Sequence, residues 1–262
     1  MPHPDVYIRD HDDVPRPLVA LATDYEQGQN IDWHSHSQAQ LVFASAGSLS
    51  VHTDDEKWVV PSERAVWIPA SVPHKIRTLT AVQLRTIYVE TDRFTGLPTE
   101  CCVIRVLPLL RELILEFSRR PRVYDEAGAD GRLASLVIDQ IKASGVSPLK
   151  LPYPRTKALQ SVANEIMTDP AGKSSIGDTA KNAGFSTRTF ERRFTAETGM
   201  TFRTWCVQAR LLKAVEHLST GMPVGDVAFQ LGYSSTSAFV AAFRKSLGMT
   251  PGQYFRDEDD QA

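Results

Sequence analysis

The chain of 262 residues has little cysteine, no long apolar run and no pattern typical of an N-terminal targeting segment. Three cysteines, two of them adjacent at Cys101 and Cys102, cannot build a disulfide framework, which indicates a reducing compartment. No apolar run approaches the roughly 20 residues of a membrane-spanning helix. The opening MPHPDVYIRDHDD lacks the basic-then-apolar order of a secretory signal. We therefore expect a cytoplasmic protein with no membrane partner.

Catalytic machinery is also missing from the sequence. It contains no Ser/His/Asp constellation, no phosphate-binding loop and no paired carboxylates in an acid/base setting. We therefore do not expect an enzyme. The composition, 42% hydrophobic and 23% charged, suits a globular protein with a proper core. The length allows one large domain or two ordinary ones.

The net charge of −2 is unevenly distributed along the chain. Residues 1–154 carry 16 basic and 20 acidic side chains, whereas residues 155–256 carry 13 and 7. Four further acids lie in the tail. A basic half beside an acidic half is typical of a nucleic-acid-binding domain joined to another domain, although a plain solvated surface explains it equally well.

Residue patterns divide the chain near residue 150. Short β-branched and aromatic runs separated by turn residues predict a small barrel or sandwich in the first part. Helical spacing then follows, with predicted stripes at Leu107, Leu110, Ile114 and Phe117 and at Leu133, Leu136, Val137 and Ile141. The predicted class is α+β, divided into a flexible N-terminus (1–16), a barrel (17–98), a helical extension (99–146), a stiff proline-rich linker (147–155), an all-α domain (156–256) and an acidic tail (257–262).

One helical pattern occurs twice in the second half. GDTAKNAGFSTRTFERRFTAETGMT begins at Gly177, and GDVAFQLGYSSTSAFVAAFRKSLGMT begins at Gly225. In the first copy, Ser175 caps a helix, Gly184 ends it and Ser186 caps the next, which is the pattern of a helix-turn-helix motif. Two similar units indicate a paired supersecondary element.

The second helix of the first copy has one polar face. With Phe190 and Phe194 directed inward, that face carries Thr187, Arg188, Glu191 and Arg192. Arginine can bond guanine, glutamate can accept from cytosine, and threonine suits a thymine methyl group. Between the copies, about 19 helical residues span roughly 28 Å. That length could hold two recognition helices in successive major grooves, about 34 Å apart.

Residues from about 155 to 256 resemble the DNA-binding domain of the AraC/XylS family of transcription regulators. The segment GYSSTSAFVAAFRKSLGMTPGQYF resembles the family's second-motif signature. The resemblance implies base contacts from Thr187, Arg188, Glu191 and Arg192 in the first motif and from Thr236, Ser237 and Val240 in the second. It implies phosphate contacts from Arg193, Arg244 and Lys245. Ala241 stands where the family commonly has a longer polar residue, so we expect the first motif to supply most direct base readout.

The stretch GQNIDWHSHSQAQLVFASAG resembles the first motif of the cupin barrels, with His34, His36 and Gln40 at the ligand positions and Gln40 in place of the usual glutamate. PASVPH resembles the second motif, with His74 as its histidine and Ser71 in place of the usual glycine. Glu63 stands where another glycine is expected. On a strand His34 and His36 point the same way, as does Gln40 if the strand is unbroken, and we expect His74 to come from a neighbouring strand.

Two interpretations of this cluster remain open. Three imidazoles and one oxygen donor could hold Fe, Mn, Ni or Zn as a cofactor. Alternatively, the histidines line a polar pocket or satisfy core hydrogen bonds, and a small-molecule effector binds beside them. We expect Trp33 and Trp67, with Trp58 as a further candidate, to line that effector pocket.

These patterns favour a sequence-specific DNA-binding regulator with a cupin-like domain that senses a small molecule or a metal. The resembled family implies a homodimer formed through the helical extension, although intradomain packing would explain these helices equally well. A cupin-type metal-dependent dioxygenase or isomerase with an appended DNA-binding domain is the alternative. An architectural DNA binder without an effector is the third hypothesis.

Overall fold

The computed structural model describes residues 14–62, 64–147, 151–172 and 174–255. Within these ranges, one compact unit holds residues 14–53 and 60–147, and a second holds residues 54–59 and 151–255. Most of the predicted flexible N-terminus, the acidic tail and Glu63 lie outside the described residues.

Within the described ranges, the strands pair in antiparallel fashion. The strands are β1 (Leu18–Tyr25), β2 (Asn30–His34), β3 (Ala39–Ala46), β4 (Leu49–Thr53), β5 (Glu56–Val60), β6 (Arg64–Ile68), β7 (His74–Thr78), β8 (Val82–Val89), β9 (Cys102–Arg105), β10 (Val146–Ser147) and β11 (Leu151–Pro152). In the first unit, one sheet has the order β1-β8-β3-β6-β9-β10, and β4, β7 and β2 are neighbours in the other. The predicted N-terminal sheet domain and C-terminal helical domain are confirmed, although β9, β10 and β11 were not predicted.

Two helices cover one face of the larger sheet. These are α1 (Pro108–Phe117) and α2 (Ala129–Ala143). Leu41 and Phe43 of β3 belong to the same buried cluster as Ile114 and Val137 of the helices. Because side chains alternate along a strand, Gln40 and its even-numbered neighbours on β3 lie on the opposite face, away from α1 and α2.

The two predicted stripes need a correction at two leucines. Leu107 precedes α1 and is 39% exposed, and Leu136 on α2 is 40% exposed. Ala134 and Ile138 are buried on α2 instead. The stripe on α2 is therefore rotated by part of a turn relative to the prediction.

The second unit is mainly helical. Its helices are α3 (Lys157–Thr168), α4 (Ile176–Asn182), α5 (Thr187–Thr198), α6 (Phe202–Ser219), α7 (Val224–Gln230), α8 (Thr236–Leu247) and α9 (Pro251–Tyr254). Polar residues begin several of them: Ser175, Ser186, Thr201, Ser235 and Thr250 each accept a backbone N–H bond three residues on. Thr250 and Gln253 also form a complete capping box before Pro251.

The segment predicted as a linker contains ordered structure. Leu151 and Pro152 form β11, which pairs with Lys57 and Glu56 of β5. The indole Nε1 of Trp205 on α6 donates to the Pro152 carbonyl at 2.6 Å. Proline carries no N–H, so β11 is a short strand in which Pro152 contributes its carbonyl only. Residues 148–150 of the predicted linker lie outside the described residues.

No helix in the described ranges combines the length and apolar character that a bilayer crossing would require.

Candidate nucleic-acid interface and ligand cavity

The sequence duplication extends to individual backbone hydrogen bonds. In the first copy, α4 ends at Gly184 with φ of 77°, and the N–H of Phe185 donates to the Ala180 carbonyl at 2.9 Å. In the second, α7 ends at Gly232 with φ of 76°, and Tyr233 donates to the Ala228 carbonyl at 3.0 Å. Glycine is favoured at this position because other residues meet steric strain in the left-handed region. Both copies are therefore helix-turn-helix units with the same turn.

Aromatic side chains hold α5 with its polar face outward. Phe190 and Phe194 are fully buried, and the Phe194 ring lies 5.1 Å from that of Phe202 and 5.5 Å from that of Trp205. The opposite face is exposed and carries the predicted base-contacting residues Thr187, Arg188, Glu191 and Arg192. Since the buried phenylalanines fix the rotation of the helix, both arginine side chains extend from one solvent-facing surface.

Glu197 anchors α5 to the start of α3. Its carboxylate accepts the backbone N–H of Arg155 at 2.8 Å and that of Thr156 at 2.9 Å, together with the Thr156 hydroxyl. Burial alone would raise the pKa of Glu197, but the hydrogen bonds from Thr156 and Arg155, with a smaller contribution from Arg193, outweigh burial and lower it. The carboxylate also lies at the N-terminal end of α3, where its negative charge interacts favourably with the positive end of the helix dipole.

Arg193 has a neighbour within its own helix-turn-helix unit. Its guanidinium lies 5.1 Å from the centre of the Phe185 ring, and the residue is exposed. This contact orients the side chain at the edge of the α5 surface while leaving it accessible to solvent.

The outer face of α8, the second helix of the second copy, carries small and mostly uncharged side chains over its first six residues. Thr236, Ser237 and Ala241 are exposed and Val240 is half-buried. Together with Arg244 and Lys245, they line an open groove of about 740 Å³. Small side chains create the groove, and the two cations lie toward the C-terminal end of α8.

The helix between the two units is a single continuous rod. α6 has 18 residues, which corresponds to about 27 Å at 1.5 Å per residue. Ala209 and Leu212 lie on its buried face, whereas Val207 and Leu218 are half-exposed.

Three histidines of the first unit converge on one point. His34 at the end of β2 pairs in register with His74 at the start of β7, with an irregularity between Ile31 and His34. His36 lies between β2, which ends at His34, and β3, which begins at Ala39, so the strand is broken before Gln40 and the condition for a shared orientation is not met. The pairing of β2 with β7 places His34 beside His74, and the segment between β2 and β3 brings His36 next to both. Potential ligand atoms of the three histidines all lie within 4.8 Å of one another.

Backbone carbonyls fix the tautomers of two of these histidines. The Nδ1–H of His34 donates to the Asp32 carbonyl at 2.6 Å, and the Nδ1–H of His74 donates to the Val72 carbonyl at 2.9 Å. Each Nε2 therefore carries a lone pair. Burial, followed by the proximity of His34, lowers the pKa of His74 to about 4, and burial also lowers the pKa of His34. Both rings are therefore uncharged near neutral pH.

A small cavity of about 30 Å³ adjoins His34 and Gln40. The Gln40 amide donates from Nε2 to the Tyr88 hydroxyl at 3.2 Å, and its Oε1 atom is buried without a hydrogen-bond partner. Tyr88 and Thr86 line the same cavity. Sequence reasoning missed these two residues, because only the β3–β8 register brings them beside Gln40.

Trp33, Trp58 and Trp67, which the sequence suggested for the effector pocket, do not line this cavity. Trp67 pairs in register with Leu41, on the helix-covered face of the sheet, and its Nε1 donates to the Pro98 carbonyl at 2.9 Å. Trp33 precedes His34 on β2, is 48% exposed and stacks with the Lys75 ammonium at 5.2 Å. Strand alternation explains both positions, since Trp33 is the immediate neighbour of His34 and Trp67 lies on the sheet face opposite Gln40, against α1 and α2.

Comparisons with known proteins agree on both halves of the chain. The family model "AraC-like ligand binding domain" matches residues 16–137, and "Helix-turn-helix domain" matches residues 179–257. The HTH-type transcriptional regulator NimR of Escherichia coli (strain K12) is 33% identical over 221 residues, 84% of this chain and 81% of NimR. The virulence regulon transcriptional activator VirF of Yersinia enterocolitica is 26% identical over 241 residues, 87% of this chain and 85% of VirF. The solved structure of ToxT from Vibrio cholerae aligns over 91% of this chain and 98% of that one, at 10% identity and a TM-score of 0.38.

A ligand-binding barrel in one chain with a duplicated helix-turn-helix defines a one-component DNA-binding regulator. The chain belongs to the AraC family of transcription regulators, with an N-terminal ligand-binding domain and a C-terminal helix-turn-helix domain.

Proposed function

We propose that this regulator recognises its operator by placing α5 and α8 in successive major grooves of one duplex face. The observation that carries the proposal is the duplicated helix-turn-helix, whose α5 has its aromatic face buried and its arginine-bearing face exposed. Groove-sized helices with exposed polar faces are what direct base readout requires. The roughly 27 Å length of α6 is compatible with one helical turn of DNA between the two contacts.

The two helices divide the work of recognition. Arg188 and Arg192 of α5 bond guanine edges, while Glu191 accepts from cytosine and Thr187 contacts a neighbouring base. On α8, Thr236, Ser237 and Val240 pack against bases, favouring thymine methyl groups, because Ala241 provides no polar reach. Arg193, Arg244 and Lys245 contact phosphates, which position the protein without specifying sequence.

The first unit supplies the regulatory input as a cytoplasmic sensor rather than an enzyme. Relatives that match more than four-fifths of the chain are named transcription regulators, which favours regulation over the cupin-enzyme alternative. A ligand acts on DNA binding only if it binds one arrangement of the protein more tightly than another.

A homodimer is the assembly we propose, formed through the helical extension. Leu109 on α1 is 53% exposed and Leu136 on α2 is 40% exposed, so these helices carry apolar surface that a second copy could cover. Leu109→Glu and Leu136→Glu should each shift the protein from dimer to monomer in sedimentation. A mass already monomeric in the unsubstituted protein would contradict this part of the proposal.

In vitro selection from random duplexes, followed by footprinting at a stated salt concentration, tests the DNA-binding proposal. We expect an enriched sequence with two protected patches centred about 10 base pairs apart on one face. Equal affinity for the selected operator and for random duplex would overturn the proposal.

A further inference from the structure

We propose that β5 controls the position of α5, so that a change in the first unit reaches the DNA-binding surface through this strand. β5 follows β4 and precedes β6 in the chain, yet residues 54–59 belong to the compact unit that contains α5. The contacts that connect β5 to α5 lie within that second unit. Only their effect on operator binding rests on the proposed function above.

The first step of the connection is the attachment of β5 to β11. β11 pairs in register with Lys57 and Glu56. Immediately after this pairing, the backbone N–H of Tyr153 donates to the Asp55 carbonyl at 2.6 Å. Leu151 of β11 is fully buried, so an apolar side chain holds the strand in addition to the backbone pairing. The segment that leads into α3 is therefore bound to β5.

Asp55 is connected to the last turn of α5 through one intermediate residue, Arg155. The Asp55 carboxylate accepts a hydrogen bond from Nε of Arg155 at 3.0 Å, and the backbone N–H of Arg155 donates to Glu197 at 2.8 Å. The hydrogen bond to Asp55, followed by its negative charge, raises the pKa of Arg155, with a smaller contribution from Glu197. Arg155 is held through its side chain by Asp55 and through its backbone by α5. A displacement of β5 therefore moves the group that anchors Glu197.

A second set of contacts connects β11 to the buried face of α5. The Pro152 carbonyl accepts the Trp205 indole N–H at 2.6 Å, and the Trp205 ring lies 5.5 Å from that of Phe194 on α5. Both aromatic side chains are fully buried. Because protein interiors are close-packed, a shift of β11 that moves the indole also displaces Phe194. Phe194 is one of the residues that fix the rotation of α5, so both sets of contacts act on the same helix.

The attachment of β5 to β11 is weak enough to open and close. β11 has only two residues, and the Asp55 and Arg155 side chains are 57% and 76% exposed, so their ion pair contributes little by itself. Segments with few, solvent-exposed hydrogen bonds open at a smaller free energy than the core of a domain. Two states follow. In one, β11 is paired with β5 and α5 is held in place; in the other, β11 is separated and α5 loses these anchors.

The state of the first unit can bias this equilibrium because β5 is continuous in the chain with β4 and β6. A ligand of the first unit acts on α5 only if it favours one of the two states. Operator binding, which requires α5 in place, and the pairing of β11 with β5 should strengthen each other by the same factor.

Hydrogen exchange of the full-length protein without DNA tests the connection itself. Asp55→Ala removes the partner of the Arg155 guanidinium and should speed the exchange of residues 151–156 and of α5 by about 2- to 5-fold. Asp54→Ala, at the exposed preceding residue, makes the same change in charge and should leave these rates unchanged. In the Arg155→Ala background, Asp55→Ala should have no further effect, because the two residues act as a pair. Equal exchange of α5 in Asp55→Ala and Asp54→Ala would overturn the proposal.

A reversible cross-link guards against a general loss of stability. Glu56 and Pro152 are partners in the antiparallel pairing, where Cα atoms lie about 4.5–5.5 Å apart, a distance that a disulfide can span. With Glu56→Cys and Pro152→Cys combined, the oxidised protein should show slower exchange of α5 than the same protein reduced. The cross-link should also abolish the effect of Asp55→Ala. Equal exchange of α5 in the oxidised and reduced forms would overturn control of α5 by β5.

Operator affinity of the same variants separates this inference from the proposed function. Asp55→Ala should bind the selected operator about 2- to 5-fold more weakly than Asp54→Ala, which has the same net charge. This result, together with faster exchange of α5, supports both proposals. An operator preference with equal affinity and equal α5 exchange in the two variants overturns the role of β5 and leaves the regulator intact. Faster exchange of α5 in Asp55→Ala without any operator preference does the opposite.

Discussion

Removal of one arginine from α5 should change which base is read rather than simply weaken binding. Arg188 and Arg192 are both exposed on the face opposite the buried Phe190 and Phe194. They are four positions apart, a rise of about 6 Å along the helix, or roughly two base-pair steps of 3.4 Å. Each bidentate contact to guanine contributes about 1–3 kcal/mol of discrimination, a factor of about 5 to 150. Arg192→Ala should therefore relax specificity at one position, and Arg188→Ala at a position about two base pairs away.

Fluorescence anisotropy against the selected operator and its single-base variants measures this effect. Lys245→Ala on α8 should instead weaken binding to all sequences alike and reduce the salt slope by about 1. Arg132→Ala, an exposed arginine of α2, removes the same charge outside the proposed surface and should leave operator affinity unchanged. If Arg188→Ala and Arg192→Ala lowered affinity equally on every duplex, base readout by α5 would be refuted.

Three further predictions concern stability. Burial and the nearby His34 lower the pKa of His74 from 6.5 to about 4, so the unfolded chain binds more protons between these values. Urea titration in the presence of chelator should show that the free energy of unfolding falls between pH 7 and pH 4. The fall should be about 3 kcal/mol larger in the unsubstituted protein than in His74→Gln. Equal losses in the two proteins would contradict the burial of a neutral His74. Ser71 has φ of 63°, in the left-handed region that is strained for residues other than glycine. In the same titration, Ser71→Gly should therefore stabilise the first unit by about 0.5–1 kcal/mol. A loss of stability would argue against that backbone geometry. Glu197→Ala removes the carboxylate that accepts hydrogen bonds from Arg155 and Thr156, and should lower the free energy of unfolding of the second unit by about 1–2 kcal/mol. Glu191→Ala, at an exposed position of the same helix, is the control. If the two variants unfolded alike, the Glu197 anchor would have no energetic role.

The helix-turn-helix units could be predicted from the sequence because their determinants are local. Ser186 caps α5 and Gly184 ends α4 through interactions with residues at most five positions away. Phe190 and Phe194 reveal the buried face through their spacing alone. The duplication then reinforces each assignment, since the same signals recur in the second copy.

The details of the first unit depend on contacts distant in sequence and were less predictable. The proximity of the histidines followed from motif spacing, but the turn between His34 and Gln40 did not. The exclusion of Trp67 from the cavity rests on its register with Leu41, which sequence alone does not specify. Similarly, Tyr88 lies beside Gln40 only because β3 and β8 pair in that register.

The pairing of β11 with β5 could not be predicted from the sequence for a related reason. A two-residue strand containing Pro152 has no periodicity to detect, and its partner Glu56 lies almost one hundred residues earlier in the chain. Only the folded chain, with the Trp205 indole bonded to the Pro152 carbonyl, reveals that this proline-rich segment is ordered.

The central claim is that α6 holds two recognition helices at a fixed spacing on one face of the duplex. Insertion of five base pairs between the two halves of the selected operator tests it most directly, because the insertion rotates one half by about half a turn. The account predicts that affinity falls to that of a single half-site. Undiminished affinity for the lengthened operator would contradict it.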